Sequence, residues 1–528
     1  MVTDLVIANA SILDGTGIPA ISGSVAVQGD RIERILLAGE PEPPANLRVD
    51  AAGRALAPGF IDVHNHSDVA PFVDPGMESM LRQGVTTMVV GNCGGSAFPT
   101  AGAEESAALA GAHADDLDPS WRTYGEYLER MDACRPALNV ASLIGHGTLR
   151  LAVMGEARRA PTSDEMASMQ RLLEGAMDDG ALGLSTGLIY APGLHSTTDE
   201  IVTLASVLAR TAGVYASHIR GEGELVFDAV AECIEIGRRA GVPSHVSHLK
   251  VETSIAWGRA AELLELIDRA RADGDDVSVD QYPYTAWESE LASCLPPWAS
   301  PAELPELLAG AATRERLRRA VEEGEEDWQS SVKGVGWNRI VVVAHAGAPE
   351  HTGKSIADIA AAAGADPTDT AFELLNLDRH TSIIGHAMRE EDVRTIAVRE
   401  DVMVASDGLA ISPEGPLGRF NVHPRYYGTF PRVLARYVRE EPLLPLTSAV
   451  RKMTSLSADR FGLAGRGRIA EGAFADLVLF DAERVADRAT FEAPHVFPDG
   501  IDLVVVNGRV AWDGSRYGER AGRALSRG

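Results

Sequence analysis

The chain has 528 residues, a formal net charge of −28 and an isoelectric point near 4.9. That length can bury a large core and accommodate more than one domain. The acidic balance argues against nucleic acid or an anionic membrane surface as the main partner, and no run of about 18 uninterrupted apolar residues offers a membrane span.

The N-terminus lacks a basic stretch followed by a long apolar run, so no signal peptide is expected and a cytoplasmic protein is. The four cysteines, Cys93, Cys134, Cys233 and Cys294, are scattered and form no disulfide framework. The last three read as small buried apolar residues. Nothing in the sequence sets an oligomeric state.

Residues 1–57 carry short β-type runs at Asp4–Ala8, Ser24–Val27, Arg31–Leu36 and Arg54–Ala57, separated by Gly, Asp and Pro. The C-terminus has the same character at Ala475–Phe480 and Ile501–Val510, the latter with an Asn507-Gly508 hairpin turn. Between these ends, eight apolar runs read as strands: 59–64, 86–91, 137–144, 181–185, 213–217, 243–247, 276–280 and 402–406. Amphipathic helices separate several of them, such as 199–212 and 224–240.

Eight alternating units predict an α/β fold of the (β/α)₈ TIM-type barrel class. The gap 283–400 is too long for one crossover, and most of it reads as a small inserted, lid-like α/β subdomain beside the barrel mouth. The expected division is therefore a small β-sandwich from 1–57 and 465–528, a catalytic barrel from 58–282 and 401–464, and the insert 283–400.

Barrel active sites form at the C-terminal ends of the strands. The first strand ends in His64 and His66, two residues apart and so on one face. Cys93 follows the second strand, His218 the fifth, His248 the sixth and Asp407 the eighth. Two imidazoles and a thiolate with an open fourth position suit a catalytic zinc, and the soft thiolate disfavours magnesium and calcium. His64 and His66 offer a second, more open position that would hold another ion weakly. Zinc lowers the pKa of a bound water to about 7, which yields a hydroxide nucleophile. Asp407 is the candidate for accepting the proton and passing it to the departing atom. His146, in Gly145-His-Gly at the third strand's end, is a candidate substrate contact, and His245 points away from His248 and reads as structural.

With these residues placed, the chain resembles the amidohydrolase superfamily, and within it the D-aminoacylases, or N-acyl-D-amino-acid deacylases. The motifs run nearly end to end. They are Ala57-Pro-Gly-Phe-Ile-Asp-Val-His-Asn-His, Gly91-Asn-Cys-Gly, Ser217-His-Ile-Arg, Ser247-His-Leu-Lys, Asp280-Gln-Tyr-Pro-Tyr, Ala405-Ser-Asp-Gly and His423-Pro-Arg-Tyr-Tyr-Gly-Thr-Phe. The resemblance implies zinc held tightly by Cys93, His218 and His248, a weaker site at His64 and His66, and Asp407 as general base and then acid. It also implies a substrate carboxylate bound by Arg425, Lys250 and a tyrosine of the Tyr282–Tyr284 pair, with Tyr282 favoured. Two departures stand out: the segment 408–424 is longer than in those relatives, and Ser247-His248 replaces a double histidine.

The expectation is zinc-dependent hydrolysis of the linear amide of a small N-acyl-D-amino acid. The rivals are a cyclic-ureide hydrolase of the dihydropyrimidinase kind, and a non-catalytic barrel scaffold, against which the intact ligand set counts.

Overall fold

Both ends of the chain enter one sheet. The computed structural model describes residues 2–100, 119–326 and 328–527. In it the strands Arg509–Trp512, Ile501–Val506, Leu477–Phe480, Ala55–Pro58, Thr3–Ile12, Ile21–Gln28 and Arg31–Leu37 are neighbours in that order. The two termini meet where Leu479 pairs with Leu56, antiparallel. Alternate side chains of these strands, among them Leu5, Ile7, Val25, Val27, Leu56, Leu477, Leu479, Leu503 and Val505, form one buried cluster. The Asn507-Gly508 turn occurs as expected, with φ of 46° and 76°. An added Cβ at Gly508 would stand 2.0 Å from the Gly29 carbonyl oxygen, so the turn requires glycine there. One strand, Ala45–Asp50, was not anticipated; it pairs parallel with Thr3–Ile12, and most of its side chains are exposed, so it shows no alternation to read.

All eight inner strands are present, at Phe60–Asp62, Val85–Val90, Asn139–Ser142 with Ile144–Gly145, Gly183–Gly187, Val214–His218, Ser244–Val246, Val277–Gln281 and Val402–Val404. Each lies parallel to the next in chain order. The first and eighth also meet just past their ends. There the amide of Asp407 donates to the carbonyl of His64, and that of His66 to Gly408, both at 2.9 Å. Strand alternation then sorts the side chains. Val214, Ala216 and His218 share one face, as do Met403, Ala405 and Asp407, and the apolar members belong to a single buried cluster beneath the polar ones.

Helices follow the strands. Ser163–Asp178 opens with a reciprocal capping box between Thr162 and Glu165. Val226–Ala240 buries Ala229, Val230, Cys233, Ile234 and Gly237, and stops at Gly241 in the left-handed region, φ 70°. The expected helix at 199–212 is α-helical over Thr198–Ala205 and tightens to 3₁₀ over Ser206–Arg210. Cys233 and Cys294 are buried and Cys134 half-buried.

Between the seventh and eighth strands lies a three-stranded antiparallel sheet of Trp287–Glu290, Ser382–Gly385 and Ile340–Ala344, with helices that include Ala311–Glu323 and Pro367–Leu377. It has its own apolar cluster, into which Tyr282 and Tyr284 are packed. The helix Glu390–Ala397 instead packs against Ala260–Ala272 as the crossover into the eighth strand. No helix among the described residues is long and apolar enough to cross a membrane.

Candidate metal centre and active site

Three of the anticipated site residues have left-handed backbones: Cys93 at φ 52°, His248 at 35° and Asp407 at 50°. Such conformations are uncommon for non-glycine residues and gather where a site demands an abrupt turn. Here they turn each chain inward directly after a strand. The Cys93 turn also lies flat on the fourth strand, because a Cβ at Gly187 would come within 2.0 Å of the Cys93 carbonyl oxygen.

These turns bring the predicted ligands together. Cys93 Sγ lies 3.5 Å from His218 Nδ1, 3.4 Å from His248 Nε2 and 3.2 Å from His64 Nε2. A zinc tetrahedron with bonds of about 2.3 Å to sulfur and about 2.0–2.1 Å to nitrogen has sulfur–nitrogen edges of about 3.5 Å. The donor types and spacing of Cys93, His218 and His248 fit such an ion. A second grouping, His64, His66, Cys93 and Asp407, shares the sulfur.

Charge follows the same geometry. Burial opposes ionisation of the Cys93 thiol, but the facing rings of His64, His248 and His218 outweigh it and hold the thiol well below its ordinary range. Asp407 Oδ1 lies 3.0 Å from His66 Nε2 and 3.4 Å from His64 Nε2, and its Oδ2 accepts from Arg425 Nη1 at 2.7 Å. Burial opposes its charge as well, yet Arg425 above all keeps the carboxyl well below the usual range. Across the site, Lys250 Nζ donates to Glu222 Oε1 at 2.6 Å and lies 2.8 Å from His248 Nδ1.

The amidohydrolase family model matches residues 48–511. An N-acyl-D-glutamate deacylase of Alcaligenes xylosoxydans xylosoxydans is 40% identical over 525 residues, covering 99% of this chain and 96% of that protein. A D-aminoacylase of the same organism is 39% identical over 530 residues, covering 99% and 98%. The chain belongs to the amidohydrolase family, among the D-aminoacylases. Its fold is also shared with a solved N-acyl-D-glutamate deacylase of Bordetella bronchiseptica, complexed with zinc and a phosphonate mimic of the tetrahedral intermediate. That structure is 36% identical, with a TM-score of 0.83 and complete coverage of both chains.

The remaining predicted residues of this amidohydrolase divide. Tyr282 is buried, its ring centroid 5.0 Å from Arg425 Cζ and 5.4 Å from Lys250 Nζ, and its hydroxyl has no partner among the described residues. His146 has another attachment: Nε2 meets Glu200 Oε1 at 2.9 Å, and the same oxygen accepts from Arg150 at 2.6 Å, all buried. The long segment 408–424 is pinned, because Asp74 accepts from the amide and hydroxyl of Ser412 at 2.6 and 2.8 Å. At its end, His423 Nδ1 accepts from the Arg425 amide at 3.0 Å while Nε2 faces the Ala286 carbonyl at 3.0 Å, which fixes where the arginine starts its helix.

Sequence reasoning missed three buried acids. Asp62 accepts from the Ser406 amide and Asn65 Nδ2, each at 2.9 Å, and ties the first strand to the eighth. Asp280 accepts from the His248 amide at 2.7 Å, faces His245 Nε2 at 2.6 Å and lies 3.7 Å from His64 Nδ1. His245 is thus structural, as its strand parity implies. Glu222 is the third. Asp280 and Glu222 stand inside or next to motifs already singled out, and that adjacency was the available signal.

Proposed function

We propose that this amidohydrolase cleaves N-acyl-D-amino acids to a carboxylate and a free D-amino acid, with zinc as its metal. The observation that carries the reading is the convergence of Cys93, His218 and His248 beside a buried Asp407, with two buried cations, Arg425 and Lys250, on the same mouth. In this reading Cys93, His218 and His248 hold the tight ion, and His64 and His66 a weaker one. When bound, zinc polarises the amide carbonyl and acidifies a water.

The chain's own residues do the rest. Asp407 takes the water's proton and delivers it to the departing nitrogen, a role its position between His64, His66 and Arg425 suits. Arg425, Lys250 and the Tyr282 hydroxyl grip the substrate's carboxylate. His146, whose Nε2 is engaged with Glu200, keeps Nδ1 without a partner among the described residues and stays a candidate substrate contact. The eight parallel strands are read as a closed (β/α)₈ barrel and the terminal strands as a small β-sandwich, divided at 1–57 with 465–528, 58–282 with 401–464, and 283–400, of which most is insert and the helix Glu390–Ala397 is the crossover into the eighth strand. The insert covers the mouth and excludes bulk water. Gln329 supports this, its Oε1 accepting from the amides of Gly223 and Leu225 at 3.0 and 3.3 Å.

The test is a hydrolysis screen of N-acetyl-D- and N-acetyl-L-amino acids with metal content measured on the same sample. Turnover of dihydrouracil without turnover of any N-acyl-D-amino acid would replace this reading with the cyclic-ureide one.

A further inference from the structure

Glu222 lies four residues beyond His218 and is buried. Its carboxylate faces three groups at once. Oε1 accepts from Lys250 Nζ at 2.6 Å and lies 3.0 Å from His248 Nδ1, while Oε2 lies 3.6 Å from His218 Nε2. The opposite ring nitrogens, His248 Nε2 and His218 Nδ1, are the ones turned toward Cys93 Sγ. The carboxylate therefore stands directly behind the His248 ring, whereas His218 Nε2 is beyond hydrogen-bond reach of it and has no hydrogen-bond partner among the described residues.

A neutral imidazole that gives one lone pair to a metal carries its proton on the other nitrogen. A carboxylate receiving that proton fixes both the tautomer and the ring's orientation. We infer that Glu222 is a positioning residue of the metal centre: it selects the metal-facing nitrogen of His248 and holds the Lys250 ammonium beside that ring. This rests on the reading of Cys93, His218 and His248 as metal ligands.

The backbone around Glu222 is built to hold such a group still. Its carbonyl accepts from the Glu252 amide at 2.7 Å, and the next turn is clamped by Gln329 of the insert. Lys250, two residues after His248, shares the Glu222 carboxylate, which links that metal ligand to the cation proposed for substrate.

The competing explanation is that Glu222 serves only as counter-ion to buried Lys250, since a stranded buried charge destabilises its surroundings. Three variants separate the two: Glu222→Gln, Lys250→Met, and both together. Each is loaded with zinc and dialysed against graded chelator, with zinc content and thermal unfolding read on the same samples. Removing a partner behind a ligating histidine typically weakens metal affinity about 10–100-fold. Glu222→Gln is expected to lose zinc at about 10–100-fold lower chelator, Lys250→Met to retain it like the wild type, and the double variant to be as weak as Glu222→Gln.

Wild-type retention by Glu222→Gln, or recovery of zinc in the double variant, overturns the inference. If Glu222→Gln does not fold, comparing Lys250→Met with the double variant decides the same question. Wild-type protein that binds no zinc overturns the metal reading and this inference with it, whereas a zinc-loaded wild type beside an indifferent Glu222→Gln overturns this inference alone.

Discussion

Arg425 donates from Nη1 to Oδ2 of Asp407 across 2.7 Å, with both side chains buried. The guanidinium proposed to hold the substrate's carboxylate is thus already joined to the carboxylate proposed to move protons. Arginine carries five donors, and Arg425 Nε has no partner among the described residues, so a second carboxylate can be gripped without releasing the first.

Arg425→Ala should therefore do double damage, removing the substrate grip and leaving Asp407 without its counter-charge. The expected result is a fall in kcat/KM of at least about a hundredfold on N-acyl-D-amino acids, since each 1.4 kcal/mol is about tenfold and breaking a buried pair costs about 3–5 kcal/mol. Arg425→Lys should recover only part, because an ammonium lacks the planar fork. Steady-state kinetics with zinc analysis checks this; wild-type kcat/KM in Arg425→Ala would remove it from the site.

Cys93→Ala takes away the softest donor and the atom on which both ligand groups converge. Most activity and most retained zinc should be lost together. Full zinc content with full turnover in that variant would leave the thiolate with no part in metal binding.

Asp407→Asn keeps the shape of the side chain but cannot take a proton. General acid–base groups contribute about 10²–10⁴-fold, and this one serves two steps. Turnover should fall by at least about 10³-fold with zinc still bound. A loss under about tenfold at unchanged metal content would point to another base.

Lys452 is buried and donates to the Ala397 carbonyl, and burial pushes its amine down to about 7, against partial support from Asp401 and Glu400. The folded value lies below the unfolded lysine value of about 10.4. Between those limits the unfolded chain binds a proton that the folded chain does not, so stability rises with pH across that window and is flat, at its lowest, below it. Lys452→Met abolishes that slope. Its stability relative to wild type should be most favourable below about pH 7 and should decline by a few kcal/mol toward pH 10, at about 1.4 kcal/mol per unit. The lost bond to Ala397 adds a penalty that does not vary with pH. Calorimetric unfolding of both proteins from pH 6 to 10 measures the difference; a pH-independent difference would contradict a neutral buried amine.

The eight inner strands were readable because each is a short apolar run, and the proposed metal ligands and Asp407 stood out because they follow five of those runs, the first, second, fifth, sixth and eighth. What stayed hidden depends on partners distant in sequence. Glu222 is one acid among many until Lys250, 28 residues on, turns out to share its pocket. The contact of His146 Nε2 with Glu200, 54 residues away, was also invisible from its strand end. The strand Ala45–Asp50 follows a proline-rich stretch and exposes most of its side chains, so neither composition nor period marked it. The pairing of Arg425 with Asp407 likewise spans 18 residues, across a segment whose course is set by Asp74 and Glu288 on other elements.

Stereochemistry is the sharpest test of the substrate class. Both cations lie over the Tyr282 ring, Arg425 at 5.0 Å and Lys250 at 5.4 Å from its centroid, and each also borders the metal group through Asp407 or His248. A substrate held at its carboxylate by these groups and at its scissile carbonyl by the metal has two substituents left on the α-carbon, the side chain and hydrogen. Exchanging D for L swaps those two, so the side chain is driven into the wall or the carbonyl leaves its place. Either fault costs several kcal/mol in a buried site, and each 1.4 kcal/mol is about tenfold. N-acetyl-D-amino acids should thus be preferred over their L enantiomers by at least about a hundredfold in kcat/KM, measured on matched pairs with one zinc-loaded preparation. The preference should collapse in Arg425→Ala, where the carboxylate is no longer fixed and the substrate can turn. Equal rates on both enantiomers by the wild-type enzyme would mean that the carboxylate is not held, and the deacylase reading would fall with it.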